Sequence, residues 1–120
     1  MKEIKGKDIV ICMREEDFLH KTDTEMYHCY WSMGRAPRYF TENNKIFIVT
    51  NKRIVGFVEC EEFNPEDLNG ETLVWDGGNA FTKIEPISCK PFRGFRYRWF
   101  NYRLVKEENN VRLNRERIDR

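Results

Sequence analysis

Lys45-Ile46-Phe47-Ile48-Val49-Thr50-Asn51-Lys52-Arg53-Ile54-Val55-Gly56-Phe57-Val58-Glu59-Cys60 joins two apolar, β-branched runs through the polar pair Asn51-Lys52. Runs of this kind separated by so short a polar step predict a β-hairpin. Gly56 inside the second run predicts a bulge or a close backbone approach. Toward the N-terminus, Asp8-Ile9-Val10-Ile11-Cys12-Met13 reads as a short buried strand. Glu15-Glu16-Asp17-Phe18-Leu19-His20 places acids ahead of apolar residues, which suits a short helical turn whose N-terminus favours negative charge. Tyr27 to Met33 is aromatic-rich and admits either a strand or a tight irregular segment; it ends at the breaker Gly34-Arg35-Ala36-Pro37-Arg38.

Toward the C-terminus, Asn64 to Gly70 carries turn chemistry at both ends. Thr72-Leu73-Val74-Trp75 forms a further strand, stopped by Asp76-Gly77-Gly78-Asn79. Thr82 to Ile87 contains Pro86, which confines it to a sheet edge or a bulge. Beyond Val105 the chain turns polar and reads as a frayed helix or a disordered tail. The expected organisation is one domain over residues 1–105 and a charged tail over 106–120. Short strands, one or two short helices and Gly/Pro/Asn punctuation predict a mainly β, α+β fold: a small, mostly antiparallel barrel or open sheet.

Within Lys90 to Arg103, aromatic residues and arginines alternate strictly from Phe95 to Trp99. Alternate residues of a strand face opposite sides, so Phe95, Tyr97 and Trp99 are expected in the core, and Arg96 and Arg98 on the other face. Phe47, Val49, Val55, Phe57, Tyr97 and Trp99 are expected to be largely buried, with most of residues 94–104 in a strand. Guanidinium forks suit phosphates and also stack, and rings interleaved with arginines suit single-stranded nucleic acid. The alternation is first of all a folding signal.

The formal charge of +1, from 21 basic and 20 acidic residues, hides an uneven distribution. Glu59 to Glu71 carries six acids and no Lys or Arg, whereas Lys83 to Arg103 carries six basic residues against Glu85 alone. An anionic partner is therefore met by a local patch, with salt-sensitive affinity. The acidic run reads as a solvated edge and loop, or as a guard that keeps nucleic acid to the arginine side.

Cys12, Cys29, Cys60 and Cys89 lie far apart with no Cys-x-x-Cys pair. With a charged N-terminus lacking an apolar h-region, they predict a reduced, cytoplasmic protein without disulfides. No apolar run has the length of a membrane span. His20 and His28 show no zinc-ligand spacing. No phosphate-binding glycine loop or Gly-x-Ser-x-Gly elbow occurs. No metal and no cofactor are expected.

The order of parts carries a resemblance. The first strand and short acidic helix lead to Tyr30-Trp31-Ser32-Met33-Gly34-Arg35-Ala36-Pro37, and then to the hairpin from Ile46 to Glu59. The Trp75 strand then precedes Ile84 to Tyr97. Together they resemble the PUA-like superfamily, in particular its ASCH and EVE branches, over roughly residues 8–105. The resemblance implies an antiparallel pseudo-barrel with a central cleft, and association with RNA or with a modified or flipped base.

One ASCH branch hydrolyses acylated cytidine nucleosides with a lysine, a threonine and a glutamate. Lys21-Thr22-Asp23-Thr24-Glu25 is a partial counterpart of the ASCH pattern Gly-x-Lys-x-x-Glu-x-Arg, without its glycine and arginine. The amidohydrolase alternative therefore assigns catalytic roles to Lys21, Thr24 and Glu59.

The reading the sequence favours is a domain that binds RNA or a modified nucleobase in a cleft formed by Trp31, Ser32, Arg35, Arg38, Arg93, Arg96 and Arg98. Trp31 and Trp75 offer stacking faces, Ser32 a hydroxyl for a base edge, and the arginines phosphate donors. A protein-interaction module of a regulatory or mobile-element complex, with its basic face on an acidic partner, is the alternative from another class.

Overall fold

A computed structural model describes residues 6–22, 29–33, 37–41, 43–64, 71–75 and 81–105. The expected charged tail, Thr24, Arg35 and residues 65–70 and 76–80 lie outside the described residues. In chain order the elements are β1 (Ile9–Cys12), α1 (Glu15–Lys21), β2 (Cys29–Met33), β3 (Lys45–Thr50) and β4 (Arg53–Glu59). They continue with β5 (Glu62–Asn64), β6 (Glu71–Trp75), β7 (Thr82–Ser88) and β8 (Phe95–Tyr97). The protein is mainly β with one helix, of the α+β class, and Tyr27–Met33, open in the sequence, contributes a strand.

The strands form two sheets: five in the order β7-β4-β3-β1-β8 and three in the order β2-β6-β5. The larger sheet is mixed and open, not a closed antiparallel barrel. β1 runs parallel to β3, which requires a long crossover; α1, β2 and the segment after it supply one. The remaining pairs are antiparallel. No helix among the described residues is long and apolar enough to cross a membrane.

The β3–β4 hairpin turns at Asn51 and Lys52, with φ of 53° and 61°. Two successive residues in the left-handed region match the right-handed strand twist that a two-residue hairpin needs. The register slips between Ile48 and Val49, leaving Val55 as the extra residue of β4. That bulge keeps Ile54 on the same face as Phe57 although the two lie three residues apart. Gly56 permits it, because a Cβ there would collide with the Thr82 carbonyl oxygen and the Phe81 ring. Pro86 lies in β7, at the stretch where the β4–β7 register also slips.

Both faces of the large sheet are buried, which explains the nearly continuous apolar runs of β1 and β3. One face gathers Ile9, Ile11, Met13, Ile46, Ile48 and Val58, with Phe18 of α1, Trp31 of β2 and Phe63 of β5 packed on it. The other gathers Val10, Phe47, Val49, Ile54, Phe57 and Ile84, with Phe92, Phe100 and Tyr102 against it.

The strand expected after Gly94 spans only three residues. Phe95 and Tyr97 pair opposite Ile11 and Ile9, and Arg96 opposite Val10. The strand then ends. Asp8 still binds the next residue: its Oδ2 accepts from Arg98 Nε at 3.1 Å, its carbonyl accepts from Arg98 N at 2.9 Å, and its Oδ1 accepts from Lys45 N at 2.8 Å. The chain from Arg98 to Val105 crosses the second face as a strap. Phe100 and Tyr102 place their rings 5.1 Å from Phe47, and Leu104 bridges to Ile84 at the far edge. Trp99, expected in the core beside Phe95 and Tyr97, is instead 53% exposed. Tyr97 and Val55 are half-buried, whereas Phe47, Val49 and Phe57 are buried as expected.

Candidate nucleic-acid interface

A cleft of about 450 Å³ opens at the C-terminal ends of the parallel strands β1 and β3. Ligand pockets commonly span about 300–1,000 Å³. β1 brings Cys12 and Met13 to its wall, and Arg14 and Asp17 follow from the start of α1. β3 brings Val49 and Thr50, the hairpin turn Asn51 and Lys52, β2 Trp31, and the segment after β7 Pro91.

Each wall has a local cause. The amide of Met13 donates to the Val49 carbonyl at 2.9 Å, carrying the β1–β3 pairing to the cleft floor. The Cys89 amide donates to the Lys52 carbonyl at 3.0 Å, tying the hairpin turn to the segment that delivers Pro91. Phe92 N donates to Cys12 Sγ at 3.5 Å from the same segment. Arg14 is held by carboxylates of its own helix, Glu16 at 3.2 Å and Asp17 at 3.3 Å. The charged rim is therefore mixed, with Arg14 and Lys52 its exposed cations.

The interior is apolar with one polar exception. Trp31 is half-buried against the core that includes Met13, and the Lys21 ammonium lies 5.8 Å from its ring centre. Burial pushes the Cys12 thiol above its ordinary value, partly offset by the Phe92 amide and by Arg96. Cys89 is raised for the same reason and lowered by Arg96. Both stay neutral near pH 7, where a protonated thiol is a poor nucleophile. The exception is Thr50, only 5% exposed, whose Oγ1 has no hydrogen-bond partner among the described residues.

Of the residues the sequence nominates, Trp31 lies in the cleft wall. Ser32 follows it in β2, in register with Thr72, but its side chain lies outside the described residues, as do Trp75's side chain and all of Arg35. Arg38 is exposed in a turn at the opposite end of β1, where the neighbouring Tyr39 carbonyl accepts from Lys7 N and its amide donates to the Tyr97 hydroxyl. Arg98 is bound to Asp8 and donates through Nη1 to the Phe100 carbonyl at 2.7 Å, so it holds the fold together. Arg93 is exposed just beyond Pro91 and Phe92, and the Arg96 guanidinium lies 4.6 Å over the Phe92 ring. The expected arginine face is thus split, with Arg93 and Arg96 toward the cleft and Arg38 and Arg98 away from it.

Lys21, Thr24 and Glu59 do not form a described constellation. Lys21 reaches Trp31, but Glu59 is exposed opposite Lys45 at the far end of β4, about 20 Å from the cleft at ~3.3 Å per residue. Thr24 lies outside the described residues. Among the described residues, no three of His, Cys, Asp and Glu converge as a metal site would require. Thr50, Lys52 and Pro91 were not legible as site residues, because only folding brings them beside Trp31. The sequence signal nearest to them was the turn pair Asn51-Lys52.

No protein-family model and no curated protein matches the chain. Among solved structures, it is similar to crystal structures of two mutants of ZmASCH, from Zymomonas mobilis. The Tyr-to-Phe mutant is 13% identical, with a TM-score of 0.52 over 90% of this chain and 97% of that one. The Ser-to-Ala mutant is 12% identical, with a TM-score of 0.50 over 93% and 98%. At such identity the likeness is one of fold alone: a distant, ASCH-like fold.

Proposed function

We propose that this protein binds an unpaired nucleobase of RNA, including a modified base, in the cleft walled by Trp31. The observation that carries this reading is the enclosure itself: an apolar cleft of about 450 Å³ with an indole on one side and, in its lining, Thr50, whose buried hydroxyl has no partner among the described residues. A base has a flat face that stacks on a ring and a polar edge that seeks hydrogen bonds. Lys52 at the rim suits the phosphate or sugar that accompanies it. The ASCH-like fold supports the reading, since nucleic-acid association is what the PUA-like resemblance implies.

Titration of labelled single-stranded RNA at two salt concentrations tests it. Trp31→Ala should weaken binding by about 1–3 kcal/mol, the usual worth of one base–aromatic stack. The salt slope should stay unchanged, because stacking releases no counterions. Trp31→Phe, which keeps a ring, should retain most of the affinity and controls for lost packing. Native affinity in a folded Trp31→Ala protein would overturn the assignment, and turnover of an acylated nucleoside would favour the amidohydrolase alternative.

A further inference from the structure

We propose that Phe92, Arg96 and Trp99, flanked by Lys90 and Arg93, form a second nucleotide-binding platform continuous with the cleft. Its ligand would then be a single strand several nucleotides long and not a free nucleoside. This rests on the cleft reading above and extends it to the class of ligand.

Trp99 carries the inference. Its place in the alternation is a core place beside Phe95 and Tyr97, yet the indole is 53% exposed. It is not loose: its ring meets Phe92 edge-on at 6.3 Å and Phe100 edge-on at 5.2 Å. Arg96 lies against Phe92, with the guanidinium 4.6 Å from the ring centre. The result is a braced group of flat surfaces, cationic on one side and partly open to solvent.

Charge narrows the occupant. No Asp or Glu occurs anywhere from Pro86 to Val105. Lys90, Arg93 and Arg96 are exposed, and no carboxylate among the described residues pairs with them. Arg98, the arginine that does have a carboxylate, is spent on Asp8. Cations without a carboxylate partner among the described residues, set beside an exposed indole, match a polyanion whose bases are free to stack, which a duplex does not offer.

Continuity fixes the relation to the cleft. Pro91 is part of the cleft wall, Phe92 is the next residue, and its amide donates to Cys12 of the same wall. A strand whose base enters against Trp31 therefore leaves past Pro91 onto Phe92 and Trp99.

The test compares a fluorescein-labelled ten-nucleotide RNA with unlabelled nucleoside monophosphates, by anisotropy and competition. Trp99→Ala should weaken the ten-mer about 5- to 140-fold, the loss of one stacked base, and leave mononucleotide binding unchanged. Arg93→Ala/Arg96→Ala should lower the salt slope for the ten-mer by about 1.4, at ~0.7 per single-strand phosphate contact. Trp31→Ala should weaken both ligands. Trp99 and both arginines are exposed, so the variants should melt like the native protein.

If Trp99→Ala and the double-arginine variant bind the ten-mer as the native chain does while Trp31→Ala loses it, the platform is refuted and the cleft stands. If the native chain binds ten-mer and mononucleotide equally, the platform is refuted too. Binding of poly-glutamate lost in Trp99→Ala, with ten-mer binding unaffected, would assign the surface to an acidic protein partner instead. Loss of ten-mer binding in Trp99→Ala but not in Trp31→Ala would uphold the platform and refute the cleft.

Discussion

The hydroxyl of Thr50 is enclosed in a side chain only 5% exposed and finds no hydrogen-bond partner among the described residues. A buried polar group without a partner costs about 1–3 kcal/mol, so at this position packing and binding make opposite demands. Thr50→Val keeps the shape and removes the hydroxyl. It should raise the free energy of unfolding by about 1 kcal/mol, a shift of a few degrees in Tm, while weakening the RNA bound in the cleft. A destabilised Thr50→Val protein in thermal melting would show that the hydroxyl has a partner of its own, and would remove it from the site. Asp8 shows the converse arrangement, a carboxylate 14% exposed whose oxygens accept from Lys45, Asn44 and Arg98. Satisfied in this way, it serves the fold and leaves nothing for a ligand.

At the scale of the element, the β3–β4 hairpin supplies both the central strands and one wall of the cleft. Its bulge at Val55 holds Ile54 and Phe57 on one face, and the bulge depends on the bare backbone of Gly56. Gly56→Ala should destabilise the protein by about 1–3 kcal/mol through overpacking, as measured by urea denaturation. The obstacle is the Thr82 carbonyl as well as the Phe81 ring, and a backbone atom of a paired strand cannot swing aside. A loss below a few tenths of a kcal/mol would mean that β7 does not approach as closely as described. The Asn51–Lys52 turn adds a functional consequence, because its tight two-residue geometry brings Lys52 to the cleft rim.

For the molecule as a whole, the sheet is buried on both faces by different means: α1 and the small sheet on one, and the strap from Arg98 to Val105 on the other. The strap starts at the β8 edge and reaches the β7 edge through the Ile84–Leu104 bridge. It thereby covers the open sheet without closing it into a barrel. Phe100→Ala should cost about 2–3 kcal/mol, somewhat less than the ~3–5 of a fully buried ring, because Phe100 is half-buried over a fully buried Phe47. Equilibrium denaturation measures this directly, and a cost under about 0.5 kcal/mol would mean that the strap is not part of the core. The same strap presents Trp99 outward, so the element that completes the core also carries the proposed platform.

By itself the sequence determined what local pattern controls. The Asn51-Lys52 hairpin, the acidic start of α1, the bulge or close approach at Gly56, the edge or bulge at Pro86 and the mainly β class are all written in neighbouring residues. Trp31 was legible as a ring beside a loop. The tertiary structure alone decided the parallel β1–β3 pairing, the end of β8 at Tyr97, the exposure of Trp99 and the meeting of Trp31 with Thr50, Lys52 and Pro91. The physical reason is range. A period of two residues predicts which side a side chain takes while the strand lasts, but where a strand stops depends on a distant partner. Here the last contact with the β1 segment is made by Asp8, ninety residues before Arg98 in the chain. Beyond it Phe100 packs over Phe47 while Trp99 stays on the surface.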